Sequence, residues 1–136
     1  MSADKQVGIV LVSHSGPVAA SVAELAKGLA GGGATAPVAA AGGVEDGGLG
    51  TSAELIADAA RTVDQGAGVA LLVDLGSAVL TVKSLIADGD ELPDGARLVD
   101  APFVEGAVAA VVTASAGADL DAVEAAAREA YAYRKE

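Results

Sequence analysis

Apolar residues in this chain fall into two alternating patterns. Short unbroken runs are followed by stretches in which apolar positions recur every three or four residues. The first run, Val7-Gly8-Ile9-Val10-Leu11-Val12, predicts a strand over 7–13 that is buried on both faces. Val18, Val22, Leu25 and Leu29 then predict a helix over 17–30 with those residues turned inward. Pro17 suits its first turn, where no N–H is needed, and Gly31-Gly32-Gly33 ends it. A weaker strand is expected over 35–40, followed by a Gly-rich loop over 41–50 with too few apolar anchors to pack.

Thr51-Ser52-Ala53-Glu54 has the Thr-x-x-Glu form of a capping box, and Leu55, Ile56, Ala59, Ala60 and Val63 mark the buried face of a second helix. Gln65-Gly66-Ala67-Gly68 breaks it. Val69-Ala70-Leu71-Leu72-Val73 is the second strong strand, ended by Asp74-Leu75-Gly76-Ser77. A third helix turns Val79, Val82, Leu85 and Ile86 inward, and an acidic loop over 88–95 leads to a strand over 96–100. Residues 103–115 read as a buried or interfacial helix, interrupted by Ala116-Gly117-Ala118. A last amphipathic helix carries Leu120, Val123, Ala127, Ala130 and Tyr131. The order βαβαβαβαα predicts an α/β fold: one domain over 1–136, a doubly wound, mainly parallel sheet of four to five strands, helices on both faces. No internal repeat or linker interrupts it.

Composition narrows the function. Hydrophobic residues make up 52% of the 136 and aromatic ones 2%, so the core is built from Ala, Val, Leu and Ile, and aromatic platforms for nucleic-acid bases are excluded. A net charge of −11 repels phosphate backbones, so no nucleic-acid partner is expected. The acidic surface reads first as a solvated one. Cysteine is absent, which removes disulfides and thiolate chemistry and fits a reducing cytosol. The first six residues have no secretory character, and the apolar stretch 107–112 is too short to cross a bilayer. A soluble cytoplasmic protein without a membrane partner is the expectation. Metal chemistry is not expected, because one histidine and scattered carboxylates give no ligand spacing. No lysine follows the Gly-rich loop as a Walker motif requires, so no bound cofactor is expected.

The sole histidine, His14, stands where the first strand gives way to Ser15-Gly16-Pro17. Imidazole is the side chain best suited to chemistry near neutral pH, and the carboxyl ends of strands in open α/β sheets carry the binding crevice. In such a sheet three loops converge there: Ser13-His14-Ser15-Gly16, Gly47-Gly48-Leu49-Gly50-Thr51-Ser52 and Asp74-Leu75-Gly76-Ser77. His14 supplies a nucleophilic nitrogen, the glycine turns offer N–H groups to an anionic phosphoryl group, and Asp74 can fix the imidazole tautomer. Each residue also has a plainer role. Asp74, Thr51, Ser52 and Ser77 serve equally as helix caps, Gly76 relieves a tight turn, and Ser13 and Ser15 are ordinary turn residues.

The segments Val7 to Ser15, Gly50-Thr51-Ser52, Val73-Asp74-Leu75-Gly76-Ser77-Ala78 and Ala101-Pro102-Phe103-Val104-Glu105-Gly106-Ala107 together resemble the mannose-type enzyme IIA domains of the phosphotransferase system. Within that family they are most similar to the DhaM-type phosphoryl-donor subunits of dihydroxyacetone kinase. The resemblance covers essentially the whole chain. It implies a homodimer and a phosphotransferase component whose His14 is transiently phosphorylated, with phospho-HPr as donor, charged from phosphoenolpyruvate by enzyme I. It implies as acceptor the ADP held on the DhaL subunit, whose ATP then phosphorylates dihydroxyacetone on DhaK. It makes Asp74 the orienting partner and Ser15, Gly50, Thr51, Gly76 and Ser77 the phosphate cradle. Some members carry fused HPr-like and enzyme I-like domains; this chain ends after the first, so it is expected to depend on separate carriers.

Three other readings stand beside it. The sugar-transport branch of the same family uses the same chemistry with a permease partner. A receiver domain phosphorylated on Asp74 needs paired acidic residues after the first strand, where this chain has Ser13-His14. A ligand-sensing module needs no reactive histidine at all.

Overall fold

The structure is a computed structural model that describes residues 5–31, 35–44 and 46–136. Met1 to Asp4, Gly32 and Gly33 of the first helix stop, and Glu45 lie outside the described residues. Strand β1 (Gly8–Ser13) is followed by α1 (Gly16–Leu29), β2 (Val38–Gly42), α2 (Ala53–Val63), β3 (Val69–Val73) and α3 (Gly76–Asp88). Then come β4 (Ala96–Leu98), α4 (Phe103–Ser115), α5 (Leu120–Glu129) and a 3-10 turn over Ala130–Ala132. The four strands form one sheet in the order β2-β1-β3-β4, every pairing parallel.

Every residue of β1 is buried, because a central parallel strand has helices on both faces. The pleat sorts it. Ile9 and Leu11 join Ala70 and Leu72 in a core with α1, α4 and α5, which contribute Val22, Ala26, Ala107, Val111 and Val123. Val10 and Val12 join Val69 and Leu71 in a second core with α2 and α3, which contribute Ile56, Ala60, Val82 and Leu85. The chain leaves β1 toward β2 on one side and β3 toward β4 on the other, so the winding direction reverses between β1 and β3. That switch point is where such sheets open a crevice at their carboxyl ends.

Several expectations shift. Helix α1 buries Ala19, Val22, Ala23 and Ala26, whereas Val18, Leu25 and Leu29 are exposed. A stripe of alanines lets the helix lie close to its neighbours, and the longer side chains are left on the rim. Ile86 and Tyr131 are likewise exposed. Strand β2 runs to Gly42, later than expected, and β4 stops at Leu98. The Gly-rich loop is stitched by its backbone: Gly43 N–H donates to Ser13 O at 3.2 Å, Val44 N–H to Gly48 O at 3.0 Å, and Gly43 bridges to Thr51. Gly42 allows this closeness, because a Cβ there would lie 2.4 Å from the carbonyl oxygen of Ser15.

Candidate active site

His14 follows β1 directly, and Asp74 follows β3. The register pairs Val12 with Val73, and Asp74 N–H extends that ladder to Val12 O at 3.1 Å, so the two residues emerge side by side. His14 Nδ1 lies 3.0 Å from Asp74 Oδ1, with side chains 24% and 17% exposed. The other donors to this carboxylate are Leu75 N–H on Oδ1 at 2.7 Å, and Ser13 Oγ–H and His14 N–H on Oδ2 at 2.8 and 3.1 Å. Burial pushes the Asp74 carboxyl up, but the hydrogen bonds from the Ser13 hydroxyl, the His14 ring, His14 N–H and Leu75 N–H together outweigh it and hold Asp74 below the usual carboxylate range. An ionised carboxylate only accepts, so the imidazole carries its proton on Nδ1. Nε2 keeps its lone pair and meets the Ser77 hydroxyl.

The expected cradle residues are all brought near, with different duties. Gly50 has φ +140°, a conformation that favours glycine, and its N–H donates to His14 O at 2.9 Å. That N–H is committed to holding the histidine backbone and is not free for an anion. The Ser15 hydroxyl caps α1, accepting from Val18 N–H at 3.3 Å. Thr51 is not the cap of α2. Ser52 is, accepting from Leu55 N–H at 3.2 Å, because the bridge to Gly43 draws Thr51 back into extended pairing. The Thr51 hydroxyl is buried and has no hydrogen-bond partner among the described residues. Of these residues only Ser77 meets Nε2, through its hydroxyl, with Gly76 beside it in the chain.

The start of α3 differs from those of α1, α2 and α5, which are capped by Ser15, Ser52 and Asp119. Its N-cap is Leu75, 61% exposed and unable to accept a bond, and no acidic residue occupies its first turn. Asp74 is turned toward His14 and does not cap the helix. A helix cannot pair its own first N–H groups, so those of Gly76 and Ser77 are left for an external acceptor beside the positive end of the dipole. The arrangement is a fixed nucleophilic nitrogen facing an uncapped helix N-terminus. It can take up an anionic electrophile such as a phosphoryl group.

One participant was not anticipated. Ser13 looks like a turn residue in sequence, yet its hydroxyl reaches the carboxylate that orients His14. The available signal was its place as the last residue of a strand otherwise wholly apolar.

No helix among the described residues is long and apolar enough to cross a membrane. The family model described as the PTS system fructose IIA component, EIIA-man, matches residues 8–124. The chain is 34% identical over 118 residues to the PEP-dependent dihydroxyacetone kinase 2 phosphoryl donor subunit DhaM of Listeria innocua, covering 86% of this chain and 93% of that one. It is 35% identical over 120 residues to the corresponding DhaM of Escherichia coli, again over 86% of this chain but only 25% of the longer relative. Among solved structures, a crystal structure of a protein of unknown function superposes with a TM-score of 0.75 at 32% identity, covering 91% of this chain and 94% of the other. A sigma-54 interaction domain protein from Enterococcus faecalis shares the fold at 18% identity, with a TM-score of 0.69 over 95% and 93% of the two chains. The chain therefore belongs to the EIIA-man family of phosphotransferase-system IIA components, and its curated relatives there are DhaM phosphoryl donor subunits.

Proposed function

We propose that this chain is a phosphohistidine carrier that takes a phosphoryl group from phospho-HPr onto His14 Nε2 and passes it to ADP on a DhaL subunit. The observation that carries this reading is the imidazole whose Nδ1 is tied to Asp74 while Nε2 faces the uncapped start of α3. The Nε2 lone pair attacks phosphorus as the donor's N–P bond breaks, and the electron pair leaves with the donor imidazole. The positive charge gained by the His14 ring is balanced by Asp74, which keeps the Nδ1 proton in a charge-assisted bond. The N–H groups of Gly76 and Ser77 and the Ser77 hydroxyl stabilise the phosphoryl oxygens. In the second half an ADP β-phosphate oxygen attacks, the N–P bond breaks, and Nε2 regains its lone pair. Catalysis here is positioning and charge stabilisation.

The DhaM relatives and the Asp74-Leu75-Gly76-Ser77-Ala78 turn favour the kinase branch over sugar transport. In this reading the phosphoryl group reaches dihydroxyacetone on DhaK by way of ATP, in the cytoplasm. A homodimer belongs to the same proposal, and the exposed Leu25, Leu29, Val104 and Val112 of α1 and α4 supply an apolar face for it. Charging the chain with phosphoenolpyruvate, enzyme I and HPr, then adding DhaL with ADP or a mannose-type IIB acceptor, tests the assignment. Discharge to ADP with ATP formed is the expected result. Discharge to IIB alone moves the protein to the sugar branch.

A second experiment addresses the anion site. Leu75→Asp places a carboxylate at the N-cap of α3, where it competes with the phosphoryl oxygens for the free N–H groups. Phosphoryl uptake is expected to fall roughly fivefold, in line with about 1 kcal/mol of charge–dipole competition, with the melting temperature unchanged or higher. Wild-type uptake by Leu75→Asp, measured beside the neutral Leu75→Asn control, would remove the α3 terminus from the mechanism.

A further inference from the structure

Ser13 is 1% exposed and, among the described residues, the only polar one that is buried as a whole residue. It ends the central strand, opposite Gly42 of β2. Its oxygen accepts from Ser15 N–H at 3.0 Å, so its single proton is free to point elsewhere, and it goes to Asp74 Oδ2 at 2.8 Å. One hydroxyl thus joins the end of β1, the turn into α1 and the carboxylate after β3.

We propose that Ser13 is a positioning residue for the phosphoryl transfer: its hydroxyl locks the Asp74 carboxylate in the rotation that presents Oδ1 to His14 Nδ1. The proposal rests on the carrier function above. A carboxylate's terminal torsion is broad and roughly two-fold, so its plane is set by its partners. Oδ1 is held by Leu75 N–H and the imidazole itself, and Oδ2 by Ser13 and by His14 N–H at the longer 3.1 Å. Without Ser13, Oδ2 keeps only the longer of its two bonds. The plane is then free to turn, and the imidazole is freed to move its proton to Nε2, where it blocks attack. The Ser13 hydroxyl is also the largest of the influences that lower the Asp74 pKa. The other titratable groups around Asp74 are His14 at the end of β1, and Lys83 of α3, Asp100 after β4 and Tyr131 of the 3-10 turn, which line the cavity beside it. None of them bonds to Ser13, so a change caused by Ser13 is readable against them.

The test compares Ser13→Ala, Ser13→Thr and Asp74→Asn, alone and with Ser13→Ala added to Asp74→Asn. Phosphoryl uptake from phospho-HPr is followed against pH, and the His14 tautomer is read from imidazole nitrogen-15 shifts. Ser13→Ala is expected to slow uptake roughly tenfold or more, from a partly buried acceptor losing a donor. It should also move the acidic limb of the pH profile upward and reduce the Nδ1–H population. Ser13→Thr, which keeps the hydroxyl, should restore most of the rate. In the Asp74→Asn background, Ser13→Ala should cost little more, since the two act as a unit. If Ser13→Ala only lowers the melting temperature, leaving rate, acidic limb and tautomer at wild type, Ser13 merely closes the turn and the proposal is overturned. An equal further loss in the Asp74→Asn background would overturn it too. Failure of the carrier function itself shows separately, as an unmodified chain that takes no phosphoryl group; the tautomer measurement judges Ser13 in either case.

Discussion

His14→Ala is expected to abolish labelling when the chain is incubated with phosphoenolpyruvate, enzyme I and HPr, with residual incorporation below about a thousandth of wild type. The size of the effect follows from the lack of any substitute. There is one histidine and no cysteine in the chain. Ser77 and Ser15 are hydroxyls without a second imidazole to activate them, and Asp74 is surrounded by donors that reduce its nucleophilicity. The linkage formed by the wild type should be acid-labile and base-stable, as a phosphoramidate is. An acyl phosphate on Asp74 would be cleaved by base, and a serine ester would survive acid. The imidazole is a quarter exposed and belongs to neither core cluster, so its removal should change stability by about 1 kcal/mol or less. Loss of labelling in a variant that melts like wild type isolates the chemistry from the fold. Equal labelling of His14→Ala would end the assignment.

The readable parts of the sequence were those governed by burial on both faces of a sheet. Strands β1 and β3 are unbroken apolar runs because no solvated face is available to them, and their neighbourhood made His14 and Asp74 readable as partners across a switch point. Helix α1 turns inward a different face from the one its hydropathy pattern predicts. Leucine and valine carry a stronger hydropathy signal than alanine, yet closeness to the sheet selects Ala19, Ala23 and Ala26 for the interior. The loop before α2 is a loop as expected, but its internal order has no signal in the sequence pattern. Its order comes from backbone bonds such as Gly50 N–H to His14 O, which depend on φ and leave no trace in hydropathy. The cap of α2 was displaced by one residue, to Ser52, because Thr51 pairs with Gly43 instead. Of the cradle, Gly76 and Ser77 were legible as residues opening a helix after a strand. That this helix begins uncapped required seeing where the Asp74 carboxylate turns.

Asp74→Asn carries the second large effect, and the donor pattern says why. Four donors converge on two carboxylate oxygens, two on each. An amide has one accepting oxygen and one donating nitrogen, so either orientation sets its NH2 group against two groups that were donors. If NH2 faces the imidazole, the ring must give up its Nδ1 proton, Nε2 becomes the protonated nitrogen, and attack on phosphorus is blocked. If NH2 faces Ser13, that hydroxyl can turn to accept, but His14 N–H then points at another N–H. The charge that balances the phosphorylated ring is lost in both cases. Uptake is expected to fall roughly 10²–10⁴-fold, the range of a positioned acid–base group. The pH dependence of stability has a definite sign. Folding lowers the Asp74 pKa, so the carboxylate stabilises the fold above the unfolded value of about 3.9, and that contribution is lost as pH falls through the lower folded value. Wild type and Asp74→Asn should therefore differ in urea midpoint at neutral pH and converge once the pH has fallen below the lowered folded value, where both side chains are neutral. A variant that transfers phosphoryl groups at the wild-type rate, or whose stability gap persists unchanged into acid, would show that the carboxylate neither sets the tautomer nor draws stability from its charge.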